Sequence, residues 1–487
     1  MVIASLANVS NFNGLSEFQT KIIKVKKMSK RSIDITVFLG LTFLTIFLAS
    51  CATPPTFTWP ENIPEIKQAE NLGATPFDEW KDARLQLENP SLVAGAAIVD
   101  LTPPNPRSTY IAGYMPNKKA KGVAGPITGR ILVLDDGKQT FITIGLDFVG
   151  YMNDRVWDTR HKISKKYAKD IMISSTHTHA GPDTMGLWGN WAFFMVPVES
   201  GVDENYMNLV EERLAAGVVE AISKSKEVYL VSSEIEVPEG LSYNSHREGY
   251  QDNMMTVLQV RDMQQNAVAT VINWACHAEF LGQNNEYLSP DFPGYLYPEV
   301  EKREGGVAIF LNGAVGGIIV PALPRRTEAN VRVRDQGARR AGKVLASYAS
   351  KALQSAKKIN AEKIVIERKV LRLPIENDLF EYMGKKGYMK RYMKEKHLLT
   401  EVWRVDLGHL SILTVPGEIF PSLGFRFKDL MPHKHKMVVG LSNDELGYIM
   451  TREEWDDPLY DYEKTVSVGK QTGPLLTATV KKLYQKK

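Results

Sequence analysis

Two cysteines, Cys51 and Cys276, are all that the 487-residue chain contains. A small disulfide-stapled fold is therefore excluded, and the contexts of these two differ so much that no internal disulfide is expected. Histidine is nearly as scarce, with nine residues. The formal net charge is only +4, and part of it sits in the first thirty residues. No basic stripe runs through the sequence of the kind that tracks a phosphate backbone, so nucleic acid is not an expected partner. Internal repeats are missing, and the only biased segment is short. What remains is an ordinary globular composition, 44% hydrophobic and 24% charged, in a chain long enough for one large domain or two smaller ones.

The N-terminal region reads as an export signal. Lys30 and Arg31 precede the apolar run IDITVFLGLTFLTIFLAS at 33–50, a basic segment followed by a hydrophobic one. The run is short for a membrane span. It ends in Leu48-Ala49-Ser50-Cys51, which resembles the bacterial lipobox, in which the cysteine becomes the acylated first residue. Met28 is then the expected true start. Residues 1–27 are an expected extension without a role in the fold, 28–50 a lipoprotein signal peptide and 51–90 a tether. ATPPTFTWPENIP after Cys51 is rich in Pro and Thr, as a tether requires. Acylation places the chain on a bacterial membrane, at the outer membrane or the cell surface or periplasm, without spanning it.

The folded domain is expected over 91–487. LVAGAAIVDLTPP is a strand closed by a Pro-Pro turn. ITGRILVLDDGKQTFITIGLDFVG predicts a hairpin around the Asp-Asp-Gly turn at 135–137, with Asp147 ending its second strand. A helix is predicted near 154–168. A second, capped by Asp203, carries Met207, Val210, Leu214, Val218 and Ala221 at helical spacing. Strands follow at 228–236, 255–262 and in ATVINWACHA. A long helix is predicted at 333–356 and a last one at 474–485. Strands and helices intermix, so the fold class is α/β (mixed α+β), one large domain of mixed sheets flanked by helices.

His177 and His179 end the predicted strand DIMISSTHTH, where residues two apart point to one side. They would enter one pocket just before the Ala180-Gly181-Pro182 turn. Neutral imidazole is a common zinc ligand; a pair of hydrogen-bonded structural histidines fits the pattern as well. His277 ends another apolar strand and, taken alone, reads as a core histidine. Its neighbour Cys276 should face the other way as a small buried hydrophobe. Glu418, in Val415-Pro416-Gly417-Glu418, is either a metal carboxylate or an exposed loop acid. Tyr448 reads by default as core. Trp188, Trp191, Phe193 and Phe194 either line an apolar substrate groove or pack on the core.

These segments, in their order, resemble the catalytic domain of the neutral ceramidases, zinc-dependent amidases. The resemblance rests on VDLTPP with AGY, ILVLDDG, SSTHTHAGP, NWACHAEF with PDFPG, FLNGAVGG, VPGE, and GYIMTREEW with a following YE. It covers about 92–480, and THTH-x-GP with NW-x-x-H and VPGE is specific. It implies one zinc per chain, held by His177, His277, Glu418 and Tyr448. It implies that His179 faces the substrate, with Arg247 of YNSHREGY and a late tyrosine beside the reacting centre. Counting from Tyr448 favours Tyr460 for that tyrosine, and the Tyr-Glu dipeptide favours Tyr462. The implied reaction is hydrolysis of the N-acyl bond of a ceramide-like lipid by zinc-activated water, which requires no serine nucleophile.

Two departures bear on the substrate. The ceramidases carry a serine in a Gly-Asp-Val-Ser-Pro loop, where this chain has Gly316-Gly317-Ile318-Ile319-Val320-Pro321. No C-terminal immunoglobulin-like domain is expected after the catalytic segment. A zinc hydrolase of a different amide or ester is therefore the alternative, and a non-catalytic binding lipoprotein the third reading. Nothing in the sequence sets an oligomeric state.

Overall fold

The computed structural model describes residues 73–322, 327–359 and 363–485. The expected extension at 1–27, the signal at 28–50, Cys51 and most of the tether lie outside these residues. Among the described residues no helix is long and apolar enough to cross a membrane.

Eight strands form the path of the main sheet: β1 (Val93–Asp100), β2 (Thr128–Asp135), β3 (Thr140–Leu146), β4 (Ile171–Ser175), β5 (Lys226–Glu236), β6 (Met254–Asp262), β7 (Ala267–Trp274) and β8 (Val307–Asn312). Their spatial order is β8-β7-β6-β5-β1-β2-β3-β4, and β9 (Lys357–Ile359) pairs with β5 off this path. The β7–β8 and β3–β4 pairs are parallel and the rest antiparallel. A second sheet holds β10 (Ile364–Pro374), β11 (His397–Leu407), β12 (Leu410–Thr414) and β13 (His435–Val439) in that order, with Met393–Lys394 paired to β11. The two sheets face each other across an apolar layer that includes Leu132, Leu258, Ile309, Trp403 and Ile412. Burying this shared layer is what drives two sheets to stack.

Helices cover the outer faces. α1 (Pro76–Leu85), α2 (Asn153–Ile163) and α3 (Glu204–Ser223) lie over the β1–β4 half, and α4 (Phe292–Glu304) and α5 (Val331–Gln354) over the β5–β8 half. α3 forms as its pattern predicts: Asp203 accepts from the Asn205 and Tyr206 amides, and the five residues at helical spacing are all buried. The Asp-Asp-Gly hairpin also forms as predicted, with Gly137 at φ 88° where a side chain would be strained. The mixed α/β architecture is thus the expected one.

Two boundaries differ. The helix predicted to reach 168 stops at Ile163, where Ser164 turns extended. Residues 76–85, expected in the tether, form α1, which belongs to the folded body. Thr75 and Asp78 make a reciprocal capping box around Pro76. Phe77 joins the core, and the buried Lys81 ammonium sits 2.6 Å from Asp135. A buried charge held by a buried partner is costly to expose singly, so it fixes α1 against the hairpin turn.

Candidate active site

The site gathers at loops that leave strands of both sheets. Two of them run side by side: Thr178 and Ala278 form a parallel bridge, and the His179 amide donates to the Ala278 carbonyl. This sets 177–179 against 277–279 at matching levels. Asn312, fully buried at the end of β8, binds both loops. Its Nδ2 donates to the Thr176 carbonyl at 3.0 Å and the Cys276 carbonyl at 2.9 Å, and its Oδ1 accepts from the Cys276 amide. Its own carbonyl accepts from Gly440, beyond β13. One side chain thereby fixes the segments that precede His177 and His277.

His177 and His179 do share a pocket, with ring centroids 4.8 Å apart. Strand alternation is not the reason, which corrects the sequence reading. β4 ends at Ser175, and His177 adopts φ 66° in the left-handed region. That conformation is uncommon for a residue with a Cβ and persists only where neighbours impose it. Here the His177 and Thr178 amides both donate to Phe148, and His177 Nδ1 donates to the Val149 carbonyl at 2.7 Å. His277 lies three residues past the end of β7, and its Nδ1 donates to the Ile319 carbonyl at 2.9 Å. Cys276 points into the apolar core, as expected.

With both Nδ1 atoms committed to carbonyls, each neutral ring turns an unprotonated Nε2 inward. Glu418 Oε2 lies 3.3 Å from Nε2 of His177 and 2.9 Å from Nε2 of His277. Facing lone pairs at such distances repel unless a proton or a cation sits with them. The protonation preferences say the same. Burial would raise the Glu418 pKa, but the His177 charge and hydrogen bonds from both imidazoles hold it well below the usual carboxylate range. Burial would lower that of His277, yet the bond to Glu418 outweighs it and the imidazole is pushed up. His179 Nε2 is 3.2 Å from His177 Nε2, and the three histidines form a group able to hold a metal ion. The donor set fits a divalent cation: imidazole nitrogens already oriented by backbone carbonyls, with an ionised carboxylate among them.

Tyr448 stands directly opposite Glu418. The two short strands Glu418–Ile419 and Tyr448–Ile449 pair in parallel, in that register. Burial and the nearby Glu418 charge push the Tyr448 phenol well above its ordinary range, so only a strong local positive charge would ionise it. Tyr462 lies beside it, ring centroids 6.3 Å apart, whereas Tyr460 packs on Phe420 and His246. Ile318 belongs to this apolar wall, together with Val320, Phe420, Tyr448 and Tyr460. Ile319 is fully buried, and its carbonyl holds His277.

Arg247 is 46% exposed at its side chain, pairs with Asp457 at 3.1 Å and lies over the Tyr460 ring. It meets the aromatic wall rather than the histidines. Its neighbour His246, which sequence reasoning passed over, is more enclosed and lies 2.7 Å from the buried Glu463. Glu279 was also missed. It lies 3.6 Å from His179 Nδ1 and accepts from the Tyr114 hydroxyl at 2.9 Å. A signal existed: Glu279 follows His277 by two residues, as His179 follows His177. The four aromatics after the turn diverge. Trp188 and Trp191 are partly buried, and the Trp188 indole donates to the Tyr114 carbonyl. Phe193 is 77% and Phe194 47% exposed, so neither packs on the core.

Comparisons with known proteins bear on the family and the fold. The family model for the neutral/alkaline non-lysosomal ceramidase N-terminal domain matches residues 92–350. That span contains His177, His179, Arg247 and His277; Glu418 and Tyr448 lie beyond it. A neutral ceramidase B of Dictyostelium discoideum is 25% identical over 186 residues, 34% of this chain and 24% of that protein. The neutral ceramidase of Pseudomonas aeruginosa superposes with a TM-score of 0.66 at 17% identity, covering 82% of this chain and 74% of that one. A ceramidase complexed with C2 gives 0.64 at 17% identity, covering 81% and 74%. At such identity these two structures establish the fold.

Proposed function

We propose that this chain, which belongs to the neutral/alkaline non-lysosomal ceramidase family, is a zinc-dependent amidase that hydrolyses the N-acyl linkage of ceramide-like lipids. The observation that carries the reading is the position of Glu418 Oε2 between His177 Nε2 and His277 Nε2, with Tyr448 paired across from it. His177, His277, Glu418 and Tyr448 would hold one zinc ion per chain. The ion would supply Lewis-acid polarisation of the amide carbonyl and an activated water.

The chain's own groups do the rest. His179 stands beside the donor set and is backed by Glu279, so it can orient the amide and move a proton at Nε2. Tyr462, next to Tyr448, is the better-placed late tyrosine to donate to a developing oxyanion. The wall of Ile318, Val320, Phe420 and Tyr460 excludes water on that side.

Metal analysis and turnover on purified variants test this. His177→Ala and Glu418→Ala should lose zinc together with amidase activity. Full zinc occupancy in both would rule out the ligand set. His179→Ala should keep zinc and slow turnover by about 10²–10⁴-fold; zinc loss there would make His179 a ligand.

Hydrolysis of a different amide or ester is the second reading. It is favoured by Ile318 and Ile319, which offer no hydroxyl where the ceramidases carry serine. A panel of ceramides, N-acyl amino acids and simple esters separates the two. We also propose export and acylation at Cys51, which mass analysis of the mature N-terminus would reveal.

A further inference from the structure

A short hairpin with an exposed turn follows the histidine loop in sequence. Trp191–Ala192 pairs with Val196–Pro197, and the Met195 amide donates back to the Ala192 carbonyl. Phe193 and Phe194 occupy the two central turn positions, with φ of 53° and 57°. Two successive left-handed residues are what a type I′ turn demands, and Asn-Gly is its favoured sequence. Phenylalanine is strained there. Backbone preference and burial both argue against Phe-Phe at this tip, since Phe193, Phe194, Met195, Val196 and Val198 are all exposed. Strain of this kind, on residues that gain no burial within the chain, points to an external contact.

Two features identify the contact as a lipid surface. Exposed lysines flank the hairpin on both sides. On one side Asn117 clasps Trp191, its Nδ2 donating to the Trp191 carbonyl and its Oδ1 accepting from the amide; the half-buried Lys118, which donates to the Gln283 carbonyl, and the exposed Lys119 follow directly. On the other, the Tyr382 hydroxyl reaches the Pro197 carbonyl, and Lys385 and Lys386 follow. Lys119 and Lys386 rest on the rings of Tyr110 and Tyr382. Lys385 pairs with Glu381, and Glu199 adjoins the hairpin, but Lys119 and Lys386 leave an exposed cation on either side of an apolar tip, which matches the boundary between acyl chains and anionic headgroups. The hairpin is also continuous with the site: the His179 ring packs on Tyr114, whose carbonyl binds the Trp188 indole, three residues before the hairpin begins.

We propose that the Phe193–Val198 tip inserts into the surface of an anionic lipid bilayer and seats the candidate active site on it. This contact is separate from any acyl anchor at Cys51. It rests on the proposed lipid substrate only for its consequence in turnover.

The test uses the full chain on phosphatidylcholine vesicles with and without phosphatidylglycerol. An environment-sensitive label is placed at Met195→Cys in a Cys51→Ser background, where Cys276 is buried and stays unlabelled. The expected result is quenching by acyl-brominated phosphatidylcholine, stronger with phosphatidylglycerol and weaker in Lys119→Glu with Lys386→Glu. A label at the exposed Val370→Cys should remain unquenched. Changing Phe193→Asn together with Phe194→Gly suits the turn and so keeps the hairpin. It should abolish the quenching, slow hydrolysis of a bilayer-embedded substrate about tenfold, and leave a short, water-soluble amide unaffected. A failed amidase reading leaves the quenching intact, so the two failures are distinguishable. Equal quenching at Met195 and Val370, or quenching that survives the Asn-Gly change, overturns the proposal. So does a chain that dimerises and dissociates on that change, because the tip would then cover a second copy.

Discussion

Glu418 and Tyr448 are direct partners across a two-stranded parallel pair, thirty residues apart in sequence and aligned by register alone. The phenol and the carboxylate therefore leave one rigid pair of strands at the same level, and the Glu418 charge reaches the phenol. Tyr448→Phe keeps the ring and its apolar neighbours and removes only the oxygen. Metal affinity should fall at least about tenfold, measured by competition with a chelator, while thermal stability of the metal-free protein changes little. Unchanged affinity would remove Tyr448 from the ligand set.

Asn312 ties the loops before His177 and His277 with three hydrogen bonds from its side chain. Replacement by alanine leaves two buried carbonyls and an amide without partners. The expected cost is ~2–4 kcal/mol of stability, together with weaker metal binding because both histidine loops are released. Chemical denaturation and metal titration of Asn312→Ala would check both. Metal affinity equal to wild type would show that the loops hold their positions without it.

Metal affinity should decline as pH falls below neutral. In the metal-free site the His277 pKa is raised because the bond to Glu418 outweighs burial, so a proton competes for Nε2 from a higher pH than for an ordinary histidine. Zinc dissociation constants measured across this range should rise with acidity. An affinity independent of pH down to the ordinary imidazole range would contradict the assignment.

Asp147 offers a pH test of the fold itself. Full burial pushes its carboxyl up to about 6 from an ordinary value of 3.8, against donors from Thr128, the nearby Arg130 charge and Tyr297. The folded state thus binds this proton more tightly than the unfolded chain. The stabilisation is full below the unfolded pKa and is lost as pH rises from about 4 to about 6. Asp147→Asn can accept from Thr128 with its carbonyl and donate to the Tyr297 oxygen. Its urea midpoint should lack the gain that wild type shows between pH 6 and pH 4, a difference of up to ~3 kcal/mol. Parallel pH profiles would refute the buried, protonated Asp147.

Much of the fold could be read along the chain because its signals are local. The spacing of Met207, Val210, Leu214, Val218 and Ala221 is set by one helix face, and the Asp-Asp-Gly turn by three residues. α1 was not read, because the Pro-rich stretch before it suggested a tether, although Thr75-Pro76-x-Asp78 is a capping box with proline at the first helical position. The exposure of Phe193 and Phe194 was not legible. A Phe-Phe pair reads as core or groove until the turn carrying it is seen to point outward.

The sequence by itself determined a set of short motifs and their order, and only through the family these resemble did it imply two histidines, a glutamate and a tyrosine as donors. Taken singly, His277 and Tyr448 read as core and Glu418 equally as a loop acid, because no local pattern separates a ligand from a packed side chain. Only the tertiary structure decided that they meet. The Thr178–Ala278 bridge, the Asn312 clamp and the Glu418–Tyr448 register join segments from two different sheets. Such pairings are fixed by burying the layer between the sheets, a sum over many remote contacts to which no single motif corresponds. His177 shows the difference most clearly: its place beside His179 comes from Phe148 and Val149 holding it in a left-handed conformation, not from the alternation of a strand.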